Sequence, residues 1–200
     1  MFNTKQVLAR LLLAASLVGA AGQAGAAPIY QVDIDTATLG AGPAFLDIYF
    51  VGLANASAAT ATVTGLTGLF NGAASLSGAV SGSRPGPIVF GNANLGGEFV
   101  QAIELGGKFH FDVSFMMAPG SDGTTFGWAL FNDVQYLGAD GDLGNIFLQP
   151  NAAAGQQIIV SAPAGQLSSV NVIPEPSTAA LFLLALLALG AMHARGGRRA

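Results

Sequence analysis

From Lys108 to Met116 apolar and polar side chains alternate without a break. Phe109, Phe111, Val113 and Phe115 fall on one side of an extended chain, and Lys108, His110, Asp112 and Ser114 on the other. A period of two marks a strand with one face in a core and the other in water. The same beat sets Tyr30, Val32 and Ile34 against Gln31, Asp33 and Asp35. It sets Leu46, Ile48 and Phe50 against Asp47 and Tyr49, and Ala61 and Val63 against Thr60, Thr62 and Thr64. Further strands are predicted over 98–105, 125–131, 145–149, 156–161 and 169–173, with fainter patterns over 76–80 and 88–90. The stretch 55–78, rich in Ala, Ser, Thr and Gly, reads as thin strands or partly as loop. Glycine and proline clusters such as Gly40-Ala41-Gly42-Pro43, Gly96-Gly97 and Gly106-Gly107 separate these runs. Short strands punctuated in this way predict an all-β, antiparallel β-sandwich of jelly-roll-like type.

The pattern stops at both ends. Lys5 and Arg10 lead into an apolar stretch from Leu11 to Val18, and small residues follow up to Ala26-Ala27. A basic start, a short apolar centre and an Ala-x-Ala exit are the parts of a secretory signal peptide, predicted over 1–26. Its apolar residues cover the whole circumference of a helix, which disfavours the alternative of a helix packed on the domain. At the other end Pro174-Glu175-Pro176-Ser177 precedes a run of Ala, Leu and Phe up to Met192, and Arg195, Arg198 and Arg199 close the chain. As a helix, 179–192 would be about 21 Å long, short of the roughly 30 Å hydrocarbon core, so it spans only with flanking residues or a thinned bilayer. Arginines stay cytoplasmic, which puts the body on the far side of a single transmembrane helix. The two prolines keep the preceding segment extended, a form that a processing enzyme can grip.

Val172-Ile173-Pro174-Glu175-Pro176-Ser177, the apolar run and the arginine cluster together resemble the PEP-CTERM sorting signal of Gram-negative bacteria. The resemblance covers about the last 30 residues. It implies export through the Sec translocon, removal of the leader by signal peptidase and transient retention in the inner membrane. Processing by an exosortase would follow, with delivery to the cell surface or an exopolysaccharide matrix. On this resemblance Pro174, Glu175 and Pro176 form the recognition element, and Arg195, Arg198 and Arg199 the retention anchor. The opening Val32-Asp33-Ile34-Asp35-Thr36, with Leu46-Asp47-Ile48-Tyr49-Phe50, also resembles a family of PEP-CTERM proteins, a match that implies no activity. A glycolipid-anchor signal shares the plan of a discarded apolar tail, but such tails normally lack the terminal arginines. The chain thus divides into a leader (1–26), a β-sandwich (27–173) and a sorting tail (174–200).

Composition alters the picture once the ends are set aside. The chain is 52% hydrophobic, only 9% charged and free of cysteine. That removes disulfide scaffolds, thiolate metal sites and cysteine nucleophiles. Five of the seven bases sit in the two ends, so the body holds ten acids against Arg84 and Lys108, a net of −8 where the whole chain has −4. So acidic a body will not track phosphate backbones, and no nucleic-acid partner is expected.

Candidate chemistry is sparse. His110 lies on the polar face of its strand beside Asp112 and Ser114, but neighbours on one strand face do not converge as a triad must. Carboxylate pairs for a glycan hydrolase abound, yet sugar-stacking aromatics are few: one Trp and three Tyr. Trp128 alternates with Phe126 and Leu130 as core, while Tyr30, Tyr49 and Tyr136 would stack on sugars if exposed. Asp140-Gly141-Asp142-Leu143-Gly144-Asn145 offers oxygen ligands for calcium through Asp140, Asp142 and Asn145. An Asp-Gly hairpin turn between Tyr136 and Ile146 accounts for the same residues without a metal. The expectation is therefore a non-catalytic structural or biofilm-matrix protein without a required cofactor. A carbohydrate- or calcium-binding adhesion module is the alternative, and a glycan hydrolase a more distant one.

Overall fold

Alternating burial is what turns these runs into sheets. The computed structural model describes residues 28–120, 122–153, 155–161 and 166–173. The leader, Pro174, Glu175, Pro176, the apolar run and Arg195, Arg198 and Arg199 lie outside the described residues. Among the described residues no helix is long and apolar enough to cross a membrane.

Twelve strands follow one another: β1 (Ile29–Asp35), β2 (Pro43–Gly52), β3 (Ala59–Thr67), β4 (Ser75–Gly78), β5 (Val80–Gly82) and β6 (Ile88–Gly91), then β7 (Gly96–Glu104), β8 (Lys108–Met117), β9 (Thr124–Phe131), β10 (Asp142–Leu148), β11 (Ile158–Ser161) and β12 (Ser168–Ile173). They form two six-stranded antiparallel sheets, ordered β12-β1-β8-β3-β6-β5 and β11-β10-β9-β2-β7-β4. The two pack face to face over one core, the arrangement of a β-sandwich.

The predicted alternation is realised residue by residue. Phe109, Phe111, Val113 and Phe115 of β8 point inward, as do Val32 and Ile34 of β1 and Leu46, Ile48 and Phe50 of β2. Aromatic rings join the sheets: Phe111 meets Trp128 edge-on at 6.0 Å and Phe126 at 6.1 Å, and Phe115 meets Phe126 at 5.6 Å. Edge-to-face contacts place the positive ring rim on the negative face and add to the area term. Trp128 is fully buried and its Nε1–H donates to Ser168 Oγ at 2.9 Å, giving the indole the partner a buried donor needs.

Three expectations change. The run predicted over 76–80 is two strands, because Gly78, at φ +70°, turns the chain from β4 in one sheet to β5 in the other. A side chain there would collide with the Gly96 carbonyl. Residues 132–141 form a ten-residue connection with a Phe131–Tyr136 bridge instead of a tight Asp-Gly hairpin. Tyr30 is buried in the core at 5% exposure and offers no sugar platform.

The strand register also fixes where the chain enters and leaves. In the β1–β12 ladder Ile29 stands opposite Ile173, so the first and last strands meet at one end of the sandwich.

Candidate functional site

The polar face of the second sheet gathers the chemistry. On β2 the alternation that buries Leu46, Ile48 and Phe50 turns Asp47 and Tyr49 outward. Their neighbours on β9 are small: Tyr49 pairs with Gly127 and Asp47 with Ala129. Across β9 the same two rows continue into Asn145 and Asp142 of β10, and on the other side of Tyr49 lies Glu98 of β7. Gly127 and Ala129 thus floor a shallow trough between two polar strands. The Tyr49 ring lies across it, over the place a Cβ at residue 127 would occupy. Its hydroxyl donates to Asp142 Oδ2 on the far wall. A bulge between Asp142 and Gly144 lets Asp142 reach the outer face while Leu143 and Gly144 stay buried.

This face is electrostatically loaded. Asp47 Oδ1 and Asn145 Oδ1 are both buried without a hydrogen-bond partner. Burial, and then the negative charges of Glu98 and Asp142, push the Asp47 carboxyl up to about 7. Burial, with the hydrogen bond to Asp142 and its charge, holds the Tyr49 phenol far above its usual range. Asp47 is thus the carboxyl of this trough whose titration is moved toward neutrality.

The residues expected for calcium divide. Asp142 and Asn145 lie on this outer face, whereas Asp140 is exposed in the connection before β10. Among the described residues no three His, Asp or Glu side chains gather as a metal-holding group. Of the tyrosines, Tyr136 is exposed at 53% and Tyr49 is half-buried. Asp47 and Glu98 joined the cluster unannounced. Their outward alternation was visible, but which strands adjoin β2 was not.

His110 occupies the outer face of the first sheet. Its Nδ1 lies 2.9 Å from Asp33 Oδ1 on the neighbouring β1, and its Nε2 lies 3.5 Å from Asp112 Oδ1 on its own strand. The imidazole sits between two carboxylates along a half-open strand surface, bonded to Asp33 and near Asp112. A second polar constellation is internal: Gln101 points into the core from β7, fully buried, and its Oε1 accepts from Arg84 Nε at 3.1 Å and Nη2 at 2.9 Å. The same guanidinium stacks 3.8 Å above the Phe70 ring. The pair closes one side of the core and satisfies an otherwise costly buried amide.

Comparison of the chain with protein-family models, with curated proteins and with solved structures found no match.

Proposed function

We propose that the chain is an exported surface or exopolysaccharide-matrix protein, sorted through its C-terminal tail and acting as a structural component. The observation that carries this reading is the sequence of the two ends: a leader over 1–26, and Pro174-Glu175-Pro176 ahead of an apolar run and Arg195, Arg198 and Arg199. On this reading an exosortase is the processing partner and the inner membrane a temporary holding site. The body adds support, since Ile29 and Ile173 face each other in one ladder and both targeting segments would leave from the same end. Its low charge and its Gly, Ala, Ser and Thr content favour a matrix role. The finer architecture we assign is jelly-roll-like: β1-β8-β3-β6 opposes β9-β2-β7-β4, with consecutive strands crossing between sheets from β1 to β5 and from β6 to β9.

Fractionation of the native host, with mass spectrometry of the mature termini, tests the sorting. The surface or matrix fraction should contain a chain that starts near Pro28 and ends ahead of the apolar run. A cytosolic chain intact from Met1 to Ala200 would overturn it. A second reading, a calcium- or sugar-binding adhesion module, is favoured by the unpartnered oxygens of Asp47 and Asn145 beside Asp142. Titration calorimetry with calcium chloride, and retention on the host's own exopolysaccharide, decide it. Absence of both heat and retention removes it.

A further inference from the structure

The two ends of the sandwich differ in charge: both expose apolar side chains, but at the end away from the termini Leu69, Val134 and Tyr136 stand among Asp35, Lys108, Glu104, Asp133 and Asp140. At the end where β1 begins and β12 finishes, the connections 53–58, 92–95 and 118–123 meet. Here apolar side chains stand in water: Met116 is 75% exposed, Leu53 68%, Leu95 63% and Val172 51%, with Val51 and Ile173 close by at 42% and 38%. An end that exposes several apolar side chains and carries little charge suits an interaction face. The platform beneath is rigid. Asn92 donates through Nδ2 to Ser57 O at 2.6 Å and Thr124 Oγ1 at 2.8 Å, and its Oδ1 accepts from Ala59 N–H at 3.0 Å. Leu95 is held at φ +74°, a region unfavourable for any residue with a Cβ, and still presents its side chain outward.

Charge avoids this end. Among the described residues Asp122 is the acid in its connections, and it is occupied by the Asn55 amide; Glu98 stands lower, opposite Tyr49. Asp35 with Lys108, Glu104, Asp133 and Asp140 all lie at or beyond the opposite strand ends. β2, ten residues long, separates the two ends by roughly 30 Å at about 3.3 Å per residue.

The length of chain beyond β12 says what covers the apolar end. Five residues, 174–178, separate Ile173 from the apolar run that starts at Ala179. Fully extended they reach at most about 18 Å. We infer that this end of the sandwich is a lipid-docking surface, with Leu53, Leu95 and Met116 inserting into the interface of the bilayer that holds the tail. The inference rests on the reading of that tail as a membrane anchor. So short a tether keeps the end from which Ile173 leaves near the lipid, and burying its apolar side chains there removes them from water. The acidic end then points to the aqueous phase, away from anionic headgroups.

Because the chain contains no cysteine, single labels can be placed at will. Leu53→Cys, Leu95→Cys, Met116→Cys and, at the opposite end, Val134→Cys are labelled with a polarity-sensitive fluorophore. The full chain is reconstituted into phosphatidylcholine vesicles with or without shallow nitroxide-bearing lipid. The three labels at the apolar end should be quenched at least twofold more than the label at residue 134, which is 87% exposed in the native protein. They stand on three separate elements, so misfolding of one variant, read by its melting curve, leaves two. Equal quenching at both ends, with the chain still floating with the vesicles, overturns the docking surface and leaves the anchor intact. A blue-shifted label that lipid nitroxide does not quench overturns it in favour of a second copy or of the tail folded back. A chain that fails to float overturns the anchor and the docking surface together.

Discussion

Replacing Asp47 with asparagine should stabilise the body above neutral pH and leave it nearly unchanged at pH 4. The folded carboxyl is pushed up to about 7, first by burial and then by Glu98 and Asp142, from an ordinary value of 3.8. Between those values the unfolded chain has released a proton that the folded chain retains. Stability therefore falls as pH rises from about 4 to about 7, and levels off above. At roughly 1.4 kcal/mol per unit the ceiling is about 4 kcal/mol. Asp47 keeps part of its surface in water, and screening there brings the expected figure down to about 1–2 kcal/mol. Asparagine keeps the shape of the neutral acid and cannot ionise, so the variant escapes this loss. Asp35 works in the opposite sense: the Ala37 N–H, ahead of Lys108, holds its carboxyl below the usual value. Its contribution fades as pH falls, but it is the same in both proteins and cancels in the difference. Urea unfolding of the body followed through Trp128 fluorescence, at pH 4 and pH 8.5, measures that difference directly. A difference independent of pH, or a variant less stable than the parent at pH 8.5, refutes the assignment of a strained carboxyl to this trough.

Three further substitutions probe the packing. Gly144→Ala puts a methyl group into the buried Trp128 ring and should cost about 1–3 kcal/mol by overpacking, read as a lower melting temperature with a shifted indole emission. Ser168→Ala leaves the Trp128 Nε1–H without its acceptor and should cost about 1–3 kcal/mol, in the same assay, with little change in far-ultraviolet circular dichroism. Asn92→Ala unties Ser57, Ala59 and Thr124 at once. A loss of about 2–4 kcal/mol follows if only part of the freed groups finds water, and faster amide exchange should be confined to the connections 53–58 and 118–123.

How much of this was legible depended on the distance over which information had to travel. Alternation is local: each run with a period of two became a strand, and Tyr30, Trp128 and Phe111 went to the faces their neighbours implied. The break at Gly78 was hidden because Leu76 to Val80 alternates small and apolar residues straight through the crossing. What gives it away is contact with the Gly96 carbonyl, eighteen residues further on. Gln101 broke the apolar series Phe99, Gln101, Ile103, yet its cause, the Arg84 guanidinium, stands in the β5–β6 turn of the other sheet. His110 was visible beside Asp112, whereas its nearer partner Asp33 needed knowledge that β1 adjoins β8. The trough on the second sheet assembles Asp47, Tyr49, Glu98, Asp142 and Asn145 from three strands spread over about half the chain. A period of two puts each on the outer face but cannot say that they are neighbours.

That same non-local wiring ties the ends of the chain to the completion of the fold. β1 lies between β8 and β12 in its sheet, so the first strand of the fold has neither partner until at least residue 108 has been made. Among the described residues only β5 with β6, β9 with β10 and β10 with β11 pair with the next strand in sequence. The remaining ladders close long loops, the costly kind of contact that slows folding and leaves strand edges open in the meantime. On the proposed sorting, a chain that still carries its leader as well as its tail would be held near the membrane at both ends, which would keep β1 and β12 close together through that interval. The β1–β12 ladder, with Ile29 opposite Ile173, would then close over a short spatial gap instead of a search by two free ends. On the proposed reading, a tether at the C-terminus would aid the folding of this topology as well as serve as an address. The apolar end on which the ladder closes is the one most exposed to association with other chains while it remains open, and lipid beneath it would keep those side chains from meeting.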